Sequence, residues 1–256
     1  MAAQLPYNHR VLVLAVDTSS PAGSLAVLQN NRTTGTVSAW TSELYSSRMF
    51  RQLEFLLREL SLEMDDFELF AVATGPGSFT GLRVGLTAVK GWAEVYGKPI
   101  ATVTTLEAVA VQSHSTNKKI VPVLDARRGQ VYFAMYKRGF DHGRDLTLLR
   151  GEQVGTAEEF VAQLDLQGND EPPIVITPVP ELLADLLSRS ETKTDGSAAA
   201  QPQLRIEEAS PALAPYIGCL GLVHARQGRL TDPLQVDANY IRRSDAELHW
   251  KVRTGI

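Results

Sequence analysis

Two hydrophobic rhythms alternate along the chain, and together they predict strands interleaved with helices. Val11 to Val16 is an unbroken β-branched and aliphatic run, as expected of a strand covered on both faces. Asp17-Thr-Ser-Ser-Pro-Ala-Gly23 reads as a turn and Ser24 to Leu28 as the returning strand. A third strand follows near Thr36 to Trp40, after the punctuation of Asn30, Asn31 and Gly35. The period then lengthens. Met49, Leu53, Leu56, Leu57 and Leu60 recur at helical spacing, so an amphipathic helix is expected over about Ser47 to Leu60. Leu69 to Ala73 is a short apolar strand, followed by Gly75-Pro-Gly-Ser-Phe-Thr-Gly81 and a second helix to about Tyr96. Gly97-Lys-Pro99 stops that helix, and Ile100 to Val103 gives another strand. Thr104 and Glu107 have the spacing of a capping box for a helix running to about Ser113.

The next segment echoes the first. Ile120-Val-Pro-Val-Leu-Asp125 is an apolar strand ending in Asp, Ala126 to Gln130 is a turn, and Val131 to Tyr136 returns. Strand, terminal Asp, turn and antiparallel strand thus occur twice, which reads either as two unrelated hairpins or as a duplication. Further on, Ile174 to Thr177 reads as a strand and Glu181 to Leu187 as a short helix. Ser188 to Gln203 is rich in Ser, Thr, Gly, Ala and Gln and reads as a flexible loop. Pro211 to Arg226, with Leu213, Ile217, Leu220 and Val223, is a late helix, and Asn239-Tyr-Ile-Arg-Arg243 closes the fold. Alternating strands and helices in two similar halves predict an α/β protein with mixed sheets. The expected lobes are residues 1–108 and 109–256, the second holding the flexible loop, the late helix and the tail.

Composition narrows the function. Apolar residues make up 44% and charged residues 21% of the 256, so a packed core is expected and wholesale disorder is not. The formal charge of −4, from 29 acidic and 25 basic side chains, argues against a stand-alone nucleic-acid binder. The single cysteine, Cys219, excludes an intrachain disulfide and a cysteine-cluster metal site, and suits a reducing compartment. Arg10 followed by six apolar residues that stop at Asp17 is too short for a signal peptide, and no apolar stretch nears bilayer length. A cytoplasmic protein that makes no membrane contact is expected.

Candidate chemistry concentrates in three places. Gly75-Pro-Gly-Ser-Phe-Thr-Gly-Leu-Arg-Val-Gly85 is a Gly-rich loop between a strand and a helix N-terminus, where backbone N–H groups can cradle phosphate. It lacks the Gly-Lys-Ser/Thr ending of a Walker A loop. It also has three residues between Gly77 and Gly81, where the dinucleotide fingerprint has two. A plain turn, a phosphate cradle, and close packing or partner contact all remain open for Gly75, Gly77, Ser78, Gly81 and Arg83. Asp17 and Asp125 stand where strand-ending acids hold Mg-nucleotide in two-lobed folds, or else where each caps its own turn. Arg127 and Arg128 follow Asp125. The histidines, His9, His114, His142, His224 and His249, are at closest 25 residues apart, so no helical pair holds a metal. Cys219 has no activating neighbour in sequence, and no Gly-x-Ser-x-Gly elbow is present. No catalytic constellation is evident.

The stretch ATGPGSFTGLRVGLTAVKGWAEVYGKP resembles the bacterial TsaB (YeaZ) family. The similarity extends to LAVDTSSPAGSLAV, TTLEAVA and PVLDARRGQVYFAMY, and thinly to NYIRR. It covers residues 10 to 137 or so well and the rest weakly. The resemblance implies the actin/Hsp70/sugar-kinase fold, two lobes of duplicated topology, which agrees with the hairpin echo. It implies a non-catalytic subunit that pairs with TsaD, joins TsaE in a ternary complex, and serves threonylcarbamoyl transfer to adenosine 37 of ANN-decoding tRNAs. It also implies that tRNA is met only through the complex, that a homodimer is compatible with the isolated chain, and that no cofactor is required. ATP or ADP would be held weakly, or at the interface with the partner. Many relatives carry His just before the first helix's Arg; here the stretch is Tyr45-Ser-Ser-Arg48. A small-molecule kinase of the same fold, resting on Asp17 and Asp125, is the rival, and a metallopeptidase fits the histidine spacing less.

The second helix carries one further signal. Leu82, Leu86, Val89 and Ala93 share a face, but Val84, Ala88, Gly91 and Val95 line the opposite side, and only Arg83, Thr87, Lys90 and Glu94 form a polar stripe. A helix apolar on two sides is buried on two sides, either by the Ser47–Leu60 helix of the same chain or by a partner. Such proteins associate through these two helices, so the resemblance implies an interface of Phe50, Leu53, Leu57, Val84, Ala88, Gly91 and Val95.

Overall fold

The computed structural model describes residues 10–115, 119–139, 146–164, 172–191 and 204–242. They form two units, one containing the described residues through Thr105 together with those from Ala212, the other Leu106–Pro211. The first unit opens with β1 (Leu12–Asp17), β2 (Ser24–Gln29) and β3 (Arg32–Ser38), then α1 (Tyr45–Leu60), β4 (Leu69–Ala73), α2 (Phe79–Tyr96) and β5 (Ile100–Val103). Its sheet runs β3-β2-β1-β4-β5, with the first three strands antiparallel and the last two parallel to β1. After α3 (Thr105–Ala110) come β6 (Lys119–Arg127), β7 (Gln130–Arg138), β8 (Leu146–Thr156), α4 (Ala157–Ala162), β9 (Ile174–Thr177), α5 (Pro180–Glu191), β10 (Arg205–Glu208) and α6 (Ala214–Arg226). Their sheet runs β8-β7-β6-β9-β10 with the same pattern of antiparallel and parallel pairs. Three strands, helix, strand, helix, strand, helix occur twice. The hairpin echo is therefore a duplication, and the topology is that of the actin/Hsp70/sugar-kinase class.

The buried faces explain the sequence rhythm. Leu12, Leu14 and Val16 of β1 and Phe70 and Val72 of β4 pack with Met49, Leu53 and Leu56 of α1 and Leu82, Leu86 and Val89 of α2. The other face of the same sheet is covered by α6, which lies against β1, β2, β4 and β5. Covered on both sides, β1 and β4 need unbroken apolar runs. The approach of α6 is close, since a Cβ on Gly221 would come within 2.7 Å of the Ala71 Cβ.

This placement corrects the sequence-based boundary. The late helix was expected in the lobe 109–256, but α6 and the segment after it belong to the first unit. Its apolar residues find their complement on the first sheet, a long-range match that no local pattern displays. The third strand is also earlier than expected, Arg32–Ser38, with its register set by pairs such as Val37 with Leu25. Of the expected loop at 188–203, residues 188–191 finish α5 and the remainder lies outside the described residues. Among the described residues, no helix is long and apolar enough to cross a membrane.

Candidate functional site

The β1–β2 turn is gripped by side chains of its own unit. Ser19, Ser20, Pro21 and Ala22 each give up a carbonyl oxygen. Ser78 N–H donates to Ser19 O at 2.7 Å and the Tyr45 hydroxyl to Ser20 O at 2.7 Å. Arg48 Nη2 donates to Pro21 O at 2.9 Å and Ser38 Oγ to Ala22 O at 2.9 Å. Arg48 is 1% exposed, lies 4.0 Å over the Tyr45 ring, and sends Nη1 to Ala39 O at 2.7 Å. Carbonyls hold this buried guanidinium, and charge-assisted hydrogen bonds offset much of its desolvation. Sequence reasoning noted the Tyr45-Ser-Ser-Arg48 stretch but assigned neither Tyr45 nor Arg48 a role. Their signal was spacing, since both fall on the α1 face that carries Met49, Leu53 and Leu56.

The Gly-rich loop packs directly onto this turn. A Cβ on Gly77 or Gly81 would overlap the backbone oxygen of Ser19 or Thr18, and one on Gly85 would overlap the Thr18 hydroxyl. Three glycines four residues apart thus give α2 a bare edge that seats on two residues of backbone. Ser78 caps the helix, its Oγ accepting from Gly81 N–H at 3.2 Å. Gly75, at φ +111°, passes beneath the chain's later segment, whose Asn239 N–H donates to Thr74 O at 2.7 Å. Of the three readings of the loop, close packing is the one its geometry displays.

The two strand-ending acids have the same local geometry and different surroundings. Asp17 Oδ1 accepts from Ser19 N–H at 2.9 Å, and Asp125 Oδ1 from Arg127 N–H at 2.7 Å. Each carboxylate caps its own turn. Asp17 is 0% exposed, and Oδ2 has no hydrogen-bond partner among the described residues. Burial pushes its carboxyl above the ordinary value, against the hydrogen bonds from Ser19. Burial first, and the nearby Asp17 second, push the Tyr45 phenol up to about 12. Asp125 is partly exposed and has Arg127 Nη1 3.4 Å from Oδ2. Arg127 and Arg128 both take left-handed backbone, at φ +63° and +57°. Among the described residues, no group of three or more His, Cys, Asp or Glu side chains could hold a metal ion.

The expected partner face divides. Leu53 is 6% exposed and packs in the core beneath α1, which removes it from the surface set. Phe50 is exposed and meets Trp92 edge-on at 6.3 Å, so α1 covers part of the second side of α2. Leu57, Val84 and Ala88 are half-buried against the same core. Gly91 is exposed with open space where a Cβ would stand, and Val95 is 76% exposed. What remains outward is a stripe of Phe50, Gly91 and Val95, flanked by the outer edges of Leu57, Val84 and Ala88.

A family model described as "TsaD: tRNA N6-adenosine threonylcarbamoyltransferase" matches residues 25–173, more than half of the chain. TsaB of Bacillus subtilis is 34% identical over 125 residues, 49% of this chain and 55% of that protein. TsaB of Escherichia coli is 31% identical over 138 residues, 52% of this chain and 59% of that protein. The chain belongs to the TsaB/YeaZ family. In fold it is similar to YeaZ from Pseudomonas aeruginosa, with a TM-score of 0.67 at 21% identity over 90% of this chain and 99% of that one. A second Pseudomonas aeruginosa structure, described as similar to peptidase YEAZ, gives a TM-score of 0.70 at 21% identity, covering 91% and 100% of the two chains. The matched stretch spans a little over half the length of the first two curated relatives. Residues 25–173 contain both helices of the outward stripe and the Asp125 turn, whereas Asp17 and its turn precede them.

The glycine edge predicts opposite signs for one substitution at two places in α2. Gly81→Ala forces a methyl into the Thr18 carbonyl and should destabilise the chain by about 1–3 kcal/mol. Gly91→Ala meets nothing and should stabilise it by about 0.5–1 kcal/mol through helix propensity. Urea unfolding of both variants checks the pair; Gly81→Ala as stable as the parent would remove the packing account.

Asp17 predicts a pH signature. Its folded-state carboxyl titrates higher than in the unfolded chain, so folding is favoured below the unfolded value and that advantage is lost as pH rises through the folded one. Asp17→Asn keeps the turn-capping oxygen and cannot ionise. The variant and parent should therefore have matching unfolding midpoints below about pH 4, and the variant should gain steadily toward neutral pH. A stability difference that does not change with pH contradicts the buried-acid assignment.

Proposed function

We propose that this chain is a non-catalytic subunit of tRNA threonylcarbamoyladenosine synthesis that pairs with TsaD through the outward stripe of α1 and α2. The pathway comes from the names of the relatives, which are called tRNA threonylcarbamoyladenosine biosynthesis proteins. The observation that carries the pairing is the second apolar side of α2. It lies within the matched stretch and is only partly covered by α1, leaving Gly91 and Val95 bare. Small residues there permit a close helix approach, and Phe50 beside Trp92 supplies an aromatic anchor of the kind that dominates interfaces.

In this reading the chain is a cytoplasmic scaffold that requires no cofactor. TsaE joins the pair, and tRNA is engaged by the assembled complex. The same stripe joins two copies when the chain is alone. The β1–β2 turn supports a scaffold role because its carbonyls are bound by Tyr45, Arg48, Ser38 and Ser78. Any nucleotide affinity is correspondingly weak.

A charge at the centre of the stripe should abolish pairing. Ala88→Arg should cost several kcal/mol of association, roughly a hundred-fold or more in affinity. Because Ala88 also touches the core, Val95→Arg is the companion variant: at 76% exposure it leaves the fold untouched. Size-exclusion chromatography with TsaD decides the matter. Loss of the heterodimer by both folded variants is expected, and an intact heterodimer with Val95→Arg refutes the placement.

A further inference from the structure

One element of the Gly-rich loop motif has no role in the packing just described. Arg83 is exposed, sits on the polar flank of α2, and directly precedes Val84 of the outward stripe. Its guanidinium is nevertheless held. Cζ lies 3.9 Å from the centre of the Phe79 ring, and Nε donates to the Tyr240 hydroxyl at 3.1 Å. Tyr240 in turn stacks on Phe79 with ring centroids 4.7 Å apart. The segment that carries Tyr240 is anchored along the same flank, by Val236 buried in the core, by Lys90 Nζ donating to Val236 O at 2.8 Å, and by Asn239 at Thr74.

A long exposed cation loses much rotamer freedom when it is fixed, and a carboxylate partner is one way to offset that cost. Among the described residues Arg83 has none. Tyr240, 157 residues away, holds Nε and Phe79 stacks on the guanidinium, while among the described residues Nη1 and Nη2 have no hydrogen-bond partner. That is the arrangement of a guanidinium prepared for a planar, two-oxygen acceptor.

We infer that Arg83, clasped by Phe79 and Tyr240, is a preorganised docking cation for a carboxylate on the protein that covers α2. The inference rests on the proposed partner face, since its position next to Val84 places it at the rim of that stripe. A protein carboxylate is favoured over an RNA phosphate on two grounds. The site is continuous with an apolar helix face, and the chain carries a net charge of −4 rather than the excess of Lys and Arg on which phosphate binding draws. An ion pair at the rim of an apolar patch fixes register and speeds association.

Titration calorimetry of the full chain with TsaD tests it. Arg83→Gln should weaken binding about ten- to a hundred-fold, and Arg83→Lys should recover only part of that because a point charge cannot replace the fork. Tyr240→Ala, which leaves Arg83 present but loose, should weaken binding about three- to ten-fold, and Tyr240→Phe, which keeps the stack, should stay within about three-fold. Raising salt from about 50 to 500 mM should weaken the parent more than Arg83→Gln. Parental affinity and salt dependence in Arg83→Gln overturn the docking cation, even where Val95→Arg abolishes pairing. Normal pairing by Arg83→Gln with weakened tRNA binding by the assembled complex also overturns it, and assigns the guanidinium to phosphate. A parent chain that does not pair with TsaD removes the partner face and the docking cation together.

Discussion

The first unit depends on how closely α2 can approach the backbone of Thr18 and Ser19. Side chains at positions 77, 81 and 85 would hold the helix away from the turn, and bare hydrogen at all three lets it seat. With the helix seated, Ser78 reaches Ser19, Leu82 and Leu86 enter the core, and α1 closes over the other end of the turn through Tyr45 and Arg48. The orientation of α2 follows. One side faces the sheet, one flank takes Phe50 of α1, the opposite flank takes the segment running to Tyr240, and the remaining stripe faces outward. A loop whose composition suggests phosphate binding thus serves to aim a helix.

Duplication supplied the frame but not the use. Both units place an Asp at the end of their first strand, and both acids cap the turn that follows with the same oxygen and the same two-residue reach. In the first unit the acid is sealed away, with one oxygen unpartnered among the described residues. In the second it meets Arg127 across a hairpin whose arginines take left-handed backbone. Identical topology therefore gives different electrostatics, set by what packs over each turn.

Much of this was legible in the chain because the physics behind it is local. The unbroken runs at Val11–Val16 and Leu69–Ala73 mark strands buried on both faces, and the 3.6-residue period marks α1 and α2. What escaped was non-local or lay at an edge. Strands β8 and β10 close the second sheet, and their half-buried and exposed residues show no apolar alternation. The complement of α6 lies in strands far earlier in the chain, from β1 to β5, so its period announces a helix and says nothing of the sheet it covers. Leu53 looked like part of an interface because helical spacing identifies an apolar side without saying which angle of it is shared with the core. Tyr240 lies in the thinly matching NYIRR stretch, and its role appears only once Phe79 and Arg83 stand beside it.

The central claim is that the first unit is built to present one face of α1 and α2 to another protein. Hydrogen–deuterium exchange of the full chain, with and without TsaD, tests it directly. The account predicts new protection in the α1 turn around Phe50 and along α2 from Arg83 to Val95, with little change across the second unit. Protection confined to the second unit, with α1 and α2 exchanging as in the free chain, would contradict it.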